Sequence, residues 1–290
     1  MAASERPWLD QAEHRLRFGW GPNGLRQLAP GAVVVVIVDV LSFSTSVDVA
    51  IGRGAVILPY RWHDGSEEAY AAEAGALLAR RATAEGPPPS GYTLRPSSLT
   101  GIEPGVRLVL PSPNGSALTF GAAEAGASDD RVVLVGSLRN ATAVGRAASA
   151  AARRHGGDGA VAVIAAGERW RGTTGPLRPA VEDLLGAGAI LEAAAEGIGP
   201  DRPSPEAAAA VAAHRDAAAE IGQRLAACGS GRELIERGFV ADVELAAALD
   251  ASSVVPTLDG RQLVDGADRF AQQVRLSPRA DRPRGPGATA

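Results

Sequence analysis

Val33-Val-Val-Val-Ile-Val-Asp39-Val-Leu-Ser-Phe-Ser-Thr-Ser46 is the stretch on which the fold turns. Six β-favouring apolar residues in succession, Val33 to Val38, read as a strand buried on both faces, the kind found inside a parallel sheet. The strand brings one carboxylate, Asp39, to its C-terminal end, and the hydroxyl-rich run Ser42 to Ser46 then opens a helix. Open α/β sheets place their ligands at that edge. Taken alone, a plain strand end followed by helix-capping serines accounts for the same residues equally well.

Outward from this stretch, residues 1–14 read as a flexible polar N-terminus and Leu16 to Trp20 as a first strand. A helix is expected around residues 45–52, then an apolar run, Ala55 to Leu58, closed by Pro59, and a helix from Glu67 to Ala84. Gly86-Pro-Pro-Pro-Ser-Gly91 opens a turn-rich segment reaching Ser98, a lid over a site or a surface crossing. From Val106 the alternation is regular. Strands Val106 to Leu110, Val132 to Val135 and Ala160 to Ala165 are separated by helices Ser116 to Ala125 and Asn140 to Arg154. Such alternation implies βαβ crossovers. The expected fold is α/β, a three-layer α/β/α arrangement with a mixed, largely parallel sheet over residues 15–277, in one domain or two lobes. Three of its loops should then share one sheet edge: Ser112 to Ser116, Ser137 to Asn140 and Gly167 to Arg169. A helix from Ala180, a long helix over residues 204–226, two short helices and a hairpin on Asp259-Gly260 complete the chain. Residues 278–290 read as a disordered tail.

Composition narrows the chemistry. All 29 basic residues are arginine, which excludes Schiff-base catalysis, the phosphate loop ending in Gly-Lys-Ser/Thr and serine–lysine hydrolysis. A net charge of −4 provides no basic field for nucleic acid. The single Cys228 forms no internal disulfide, the opening Met1-Ala-Ala-Ser-Glu-Arg lacks a signal-peptide core, and no run of apolar residues is long enough to span a membrane. The expectation is a cytoplasmic, soluble protein with no membrane or nucleic-acid partner; the base rate for such enzymes adds a homo-oligomer.

Two strand-mouth turns, Pro113-Asn114-Gly115-Ser116 and Gly136-Ser137-Leu138-Arg139-Asn140, have the make-up of anion pockets, with Arg139 as a clamp. Each is also an ordinary turn with a helix cap. Asp39, Glu168, Glu182 and Asp183 could share one Mg²⁺, which takes one or two carboxylates, waters and a substrate phosphate. For Glu182 and Asp183 the competing reading is a first-turn match to the helix dipole. Metal-linked acids beside an anion pocket point to phosphoryl transfer to water, with Asp39 as metal ligand or nucleophile. Other patterns fail. Position 41 is Leu where a haloacid-dehalogenase-type phosphatase needs Asp, and Cys228 and Arg232 lie too close for a cysteine phosphatase. The four histidines lack zinc-ligand spacing, and no Gly-x-Gly-x-x-Gly follows a strand.

Together these motifs resemble the 2-phosphosulfolactate phosphatase family over roughly residues 30–265. The residues that carry the resemblance are Val38-Asp39-Val40-Leu41 with Ser44-Thr45-Ser46, Pro113 to Ser116, Gly136 to Ala141, Ala165-Ala166-Gly167, Glu182-Asp183-Leu184 with Ala187-Gly188-Ala189, Ser230 to Leu234, Gly238-Phe239 and Asp242-Val243. The resemblance implies a Mg²⁺-dependent phosphatase of a small acidic ester in coenzyme M biosynthesis. Asp39, Glu182 and Asp183 would be its catalytic and metal residues, and Asn114, Gly115, Ser116, Ser137, Arg139, Asn140 and Arg232 its substrate contacts. Two departures stand out: Ser42 occupies the place of the family's Arg after Asp-Val-Leu, and Gly91 to Ser98 lacks the Asp and Asn of the family's Gly-Phe-Asp-Leu-Gly-Asn-Ser-Pro. They leave open a member with another substrate, or one that binds an anionic metabolite without turnover.

Overall fold

A computed structural model describes residues 8–61, 64–80, 91–125, 131–155, 159–170, 175–199 and 203–275. The expected tail at 278–290, the start of the N-terminus, one of the four histidines, His63, and the Pro87 to Pro89 run lie outside the described residues.

The valine run forms β2 (Val34–Val38), every residue of it buried. Its alternate side chains serve two cores, as the two-residue period of a strand requires. Val34, Val36 and Val38 face α5 (Ala141–Arg153), α6 (Val181–Ile198) and α7 (Pro205–Ala217), whereas Val35 and Ile37 face α1 (Gly21–Leu28) and α4 (Gly115–Glu124). This is the expected three-layer arrangement.

The sheet runs β1-β7-β2-β6-β10-β11-β3-β5-β4. Its first block joins β1 (Leu16–Trp20), β7 (Val161–Ala165), β2 and β6 (Val132–Gly136) in parallel. A second parallel block holds β3 (Val56–Tyr60), β5 (Arg107–Pro111) and the short β4 (Leu77–Leu78). Between them sits the hairpin of β10 (Pro256–Asp259) and β11 (Gln262–Asp265), antiparallel internally and to each neighbour. Three antiparallel joints in succession reverse the second block relative to the first.

That reversal corrects one expectation: β6 and β7 deliver their loops to the edge of β2, but β5 belongs to the opposed block. The loop after β5 still reaches β2, since the Gly115 N–H lies 2.9 Å from Asp39 Oδ2. In a flat sheet the two strands would stand about 24 Å apart, five steps of about 4.8 Å. Residues 112–114 span at most about 15 Å. The sheet is therefore sharply bent at the hairpin, where each outer joint has a single registered pair, Thr257 with Leu134 and Leu263 with Ile57.

Three element boundaries differ from expectation for local reasons. Pro59 lies inside β3; in β3 the odd-numbered N–H groups face β11, whose register stops at Ile57, so no ladder bond is lost. The helix expected to Ala84 is α3 (Ser66–Glu73), ended by Gly75 in the left-handed conformation at φ +59°. The long helix expected over 204–226 is α7, a 3₁₀ turn and α8 (Ile221–Ala227). The Gly229 segment then starts α9 (Gly229–Glu236), followed by α10 (Val240–Ala247). Within residues 8–14, Gln11 is buried and its amide exchanges two hydrogen bonds with the Phe18 backbone.

Helix α6 approaches its neighbours through glycines. A Cβ on Gly145 of α5 would stand 2.5 Å from the Ile190 carbonyl oxygen, a backbone atom that cannot rotate away. Gly145→Ala should therefore lower stability by about 1–3 kcal/mol in urea unfolding. Gly222→Ala, in α8 with nothing within 4 Å of the new methyl, should be neutral or stabilising.

Candidate active site

Asp39 leaves the end of β2 into a turn that its own neighbours fasten. The Asp39 N–H donates to Ser44 Oγ at 2.9 Å, the Ser44 N–H to the Asp39 carbonyl at 2.8 Å, and Thr45 Oγ1 to the Val40 carbonyl at 2.7 Å. The hydroxyl run thus builds the turn leading into α2 (Phe43–Gly52). The Asp39 carboxylate accepts the Phe43 N–H at 3.3 Å on Oδ1 and the Gly115 N–H at 2.9 Å on Oδ2. Position 115 must be glycine for this approach: a Cβ there would lie 2.1 Å from the Phe43 ring and 2.8 Å from Asp39 Oδ2.

Asp183, in the first turn of α6, accepts the Val40 N–H at 2.7 Å and the Gly167 N–H at 2.9 Å, one on each oxygen. It ties the ends of β2 and β7 together. The adjacent Glu182 is buried, and the Cys228 thiol donates to its Oε2 at 3.3 Å. Glu168, in the short strand β8 (Glu168–Arg169), accepts its neighbour's N–H from Arg169 and the Asn114 amide at 3.3 Å. Four carboxylates thus crowd one sheet edge.

Proton affinities respond accordingly. Burial pushes Asp39 up to about 7, and the Phe43 and Gly115 N–H groups oppose the rise while negative Glu168 and Glu182 add to it. Burial also holds Asp183 well above the usual carboxylate range, with Asp39 and Glu182 contributing in the same direction. The Cys228 thiol is driven to about 12 by burial and by Glu182, which keeps it protonated as a donor.

The other expected contacts are committed elsewhere. Ser116 is buried and donates to the Leu110 carbonyl. Ser137 and Asn140 form a buried capping box, and the Asn140 amide also reaches the Val254 carbonyl at 3.2 Å. Arg139 makes an ion pair with Asp48 at 2.7 Å and donates to the Leu245 carbonyl. Carbonyls 138 and 139 receive the Asp250 and Ser252 N–H groups, so this turn anchors the 250–254 segment, in place of the anion clamp expected there. Arg232 is exposed on α9. The structure thus gathers Asp39, Asn114, Gly115, Glu168, Glu182 and Asp183. Reading the sequence overlooked Arg26 and Arg61, which line a cavity that Asn114 and Arg169 also border. Arg61 directly follows β3 and was open to the strand-mouth argument, whereas Arg26 on α1 carried no such signal.

Among the described residues no three His, Cys, Asp or Glu side chains are arranged to hold a metal ion. That geometry lacks a closed cage of the kind structural zinc requires. An open Mg²⁺ site needs only one or two carboxylates, and the charges of Glu168 and Glu182, which add to the rise that burial gives Asp39, are ones a divalent cation would offset. Among the described residues no helix is long and apolar enough to cross a membrane.

A family model described as 2-phosphosulpholactate phosphatase matches residues 22–261. The chain belongs to that family. Its members are phosphoric monoester hydrolases, and the matched span takes in Asp39, the Asn114-Gly115 turn, Glu168, Glu182 and Asp183.

Because Asp39 binds its proton more tightly when folded, the native state holds more protons than the unfolded chain between about pH 4 and 7, and stability falls as pH rises through that window. In EDTA, wild type should lose more stability from pH 4.5 to 8 than Asp39→Asn does, as read by denaturant unfolding. Parallel curves for the two proteins would contradict the buried, like-charged environment of Asp39.

Proposed function

We propose that this phosphatase hydrolyses 2-phosphosulfolactate to sulfolactate and phosphate with Mg²⁺. The observation that carries the reading is Asp39 itself: a buried carboxylate at the mouth of the central strand, fixed by two backbone N–H groups, with Glu168 and Glu182 close enough to raise its proton affinity. Asp39 and Glu182 are the residues to hold the cation, which when bound supplies a Lewis acid for the phosphoryl oxygens and lowers the pKa of water. Asp183 joins the ends of β2 and β7 through the Val40 and Gly167 N–H groups, so we assign it to holding those strand ends in register.

The two N–H bonds to Asp39 disperse its charge and restrain both oxygens, which favours a binding and orienting role over attack on phosphorus. Water is then the nucleophile: its oxygen forms the new bond to phosphorus, the ester P–O bond breaks, and the alcohol leaves with a proton. The N-terminus of α4, where the helix dipole and the Asn114 amide lie beside Asp39 and the first N–H, of Gly115, serves the carboxylate, is our candidate for receiving the phosphate oxygens. The cytoplasm and the coenzyme M route remain part of this proposal.

Phosphate release from a panel of small esters, 2-phosphosulfolactate included, tests it with Mg²⁺ and with EDTA. Release should require Mg²⁺ and fall about 100-fold or more in Asp39→Asn. Folded protein that binds these esters and releases nothing would instead be an anion-binding family member.

A further inference from the structure

The Glu182 carboxylate has one hydrogen-bonding partner among the described residues, and it is a thiol. Only 2% of this glutamate is exposed; the Cys228 Sγ–H meets its Oε2 at 3.3 Å, and no described group donates to its Oε1. The last torsion of a glutamate is broad, so packing along the stem leaves the carboxylate plane free to turn. A donor on one oxygen fixes it.

The backbone decides where this thiol stands. Cys228 closes α8, its N–H donating to the Arg224 carbonyl at 3.0 Å, and caps α9, its Sγ accepting the Gly231 N–H at 3.3 Å. The turn between the two helices is so tight that a Cβ on Gly231 would strike the Leu225 carbonyl. From the other side Arg178, in β9 (Leu177–Arg178), donates to Ser230 Oγ at 3.0 Å, and Arg178 is paired in register with Glu168. The start of α9 is thus braced against the strand pair that carries Glu168 while its cap holds Glu182. A cap needs only an acceptor, which aspartate supplies better. What the thiol adds is a proton with two places to go, Glu182 Oε2 and the Leu225 carbonyl at 3.1 Å, and the carboxylate is the stronger acceptor.

We propose that Cys228 is a positioning residue for Glu182: its thiol proton holds Oε2 and so keeps the carboxylate turned with Oε1 left for a divalent cation shared with Asp39. Metal ligands depend on such outer partners, whose loss costs about 10- to 100-fold in affinity. The inference rests on the Mg²⁺ reading for the use made of Oε1; the hold on the carboxylate stands on the hydrogen bond alone.

The probe for the test is Mn²⁺, a hard dication that takes the same oxygen ligands and whose free form is counted by electron paramagnetic resonance with no substrate present. Cys228→Ala should bind it about tenfold more weakly than wild type, and Cys228→Ser, which keeps a donor, should recover most of that loss. Urea unfolding in EDTA separates orientation from capping. Cys228→Ala should cost about fivefold more in the unfolding equilibrium constant in wild type than in Glu182→Met, which has no oxygen to hold, whereas a cap alone would cost the same in both. Should Cys228→Ala lack the cooperative transition of wild type, Cys228→Gly takes its place, removing the donor at less cost to an N-cap. Equal costs in the two backgrounds overturn the proposal, and so does an unchanged Mn²⁺ affinity in Cys228→Ala where wild type binds the ion. Unequal costs in a protein that binds no Mn²⁺ uphold the hold on Glu182 and overturn the cation reading instead.

Discussion

The two N–H bonds into the Asp183 carboxylate are the constraint on which the sheet edge depends. Strands β2 and β7 are neighbours with paired ends, and beyond those ends the backbone has donors that the ladder no longer satisfies. Left buried and unpaired, each would cost about 1–3 kcal/mol. One side chain from the first turn of α6 meets both, which fixes the helix against the sheet and sets where Glu182, its neighbour, must lie. Glu182 in turn reaches the cap of α9 through Cys228. A single carboxylate thereby orders strand ends, helix and cap together.

This arrangement has an electrostatic cost that is itself informative. Asp39 and Asp183 are both buried, the charge of Asp39 adds to the rise at Asp183, and both hold their protons unusually tightly. A core built only for stability would place apolar groups there. Carboxylates concentrated at the mouths of parallel strands, with backbone donors aimed at them, are the mark of a site kept for chemistry.

Much of this was legible in the residues. The valine run could only be an interior strand, and its period-two burial follows from having helices on both faces. Asp39 and the Asn114-Gly115 turn were visible because strand mouths in α/β sheets are where polar residues have work to do. The limits were those of locality. Ser137, Arg139 and Asn140 have the composition of an anion pocket, yet their partners, Asp48, Val254 and the 250–252 backbone, come from distant parts of the chain. No local pattern distinguishes a turn that faces a ligand from one that anchors a far segment. The Asp259-Gly260 hairpin was equally plain as a hairpin, while its insertion at the middle of the sheet depends on pairings with residues 57 and 134.

That insertion governs how the molecule is made. Until residues 256–265 leave the ribosome, β6 and β3 each present an unpaired edge where β10 and β11 will dock, and no strand joins the two parallel blocks. Contacts spanning more than a hundred residues close last and slowly. The nascent chain therefore carries two templates for unwanted strand addition through most of its synthesis, and this late hairpin is the seam that removes both.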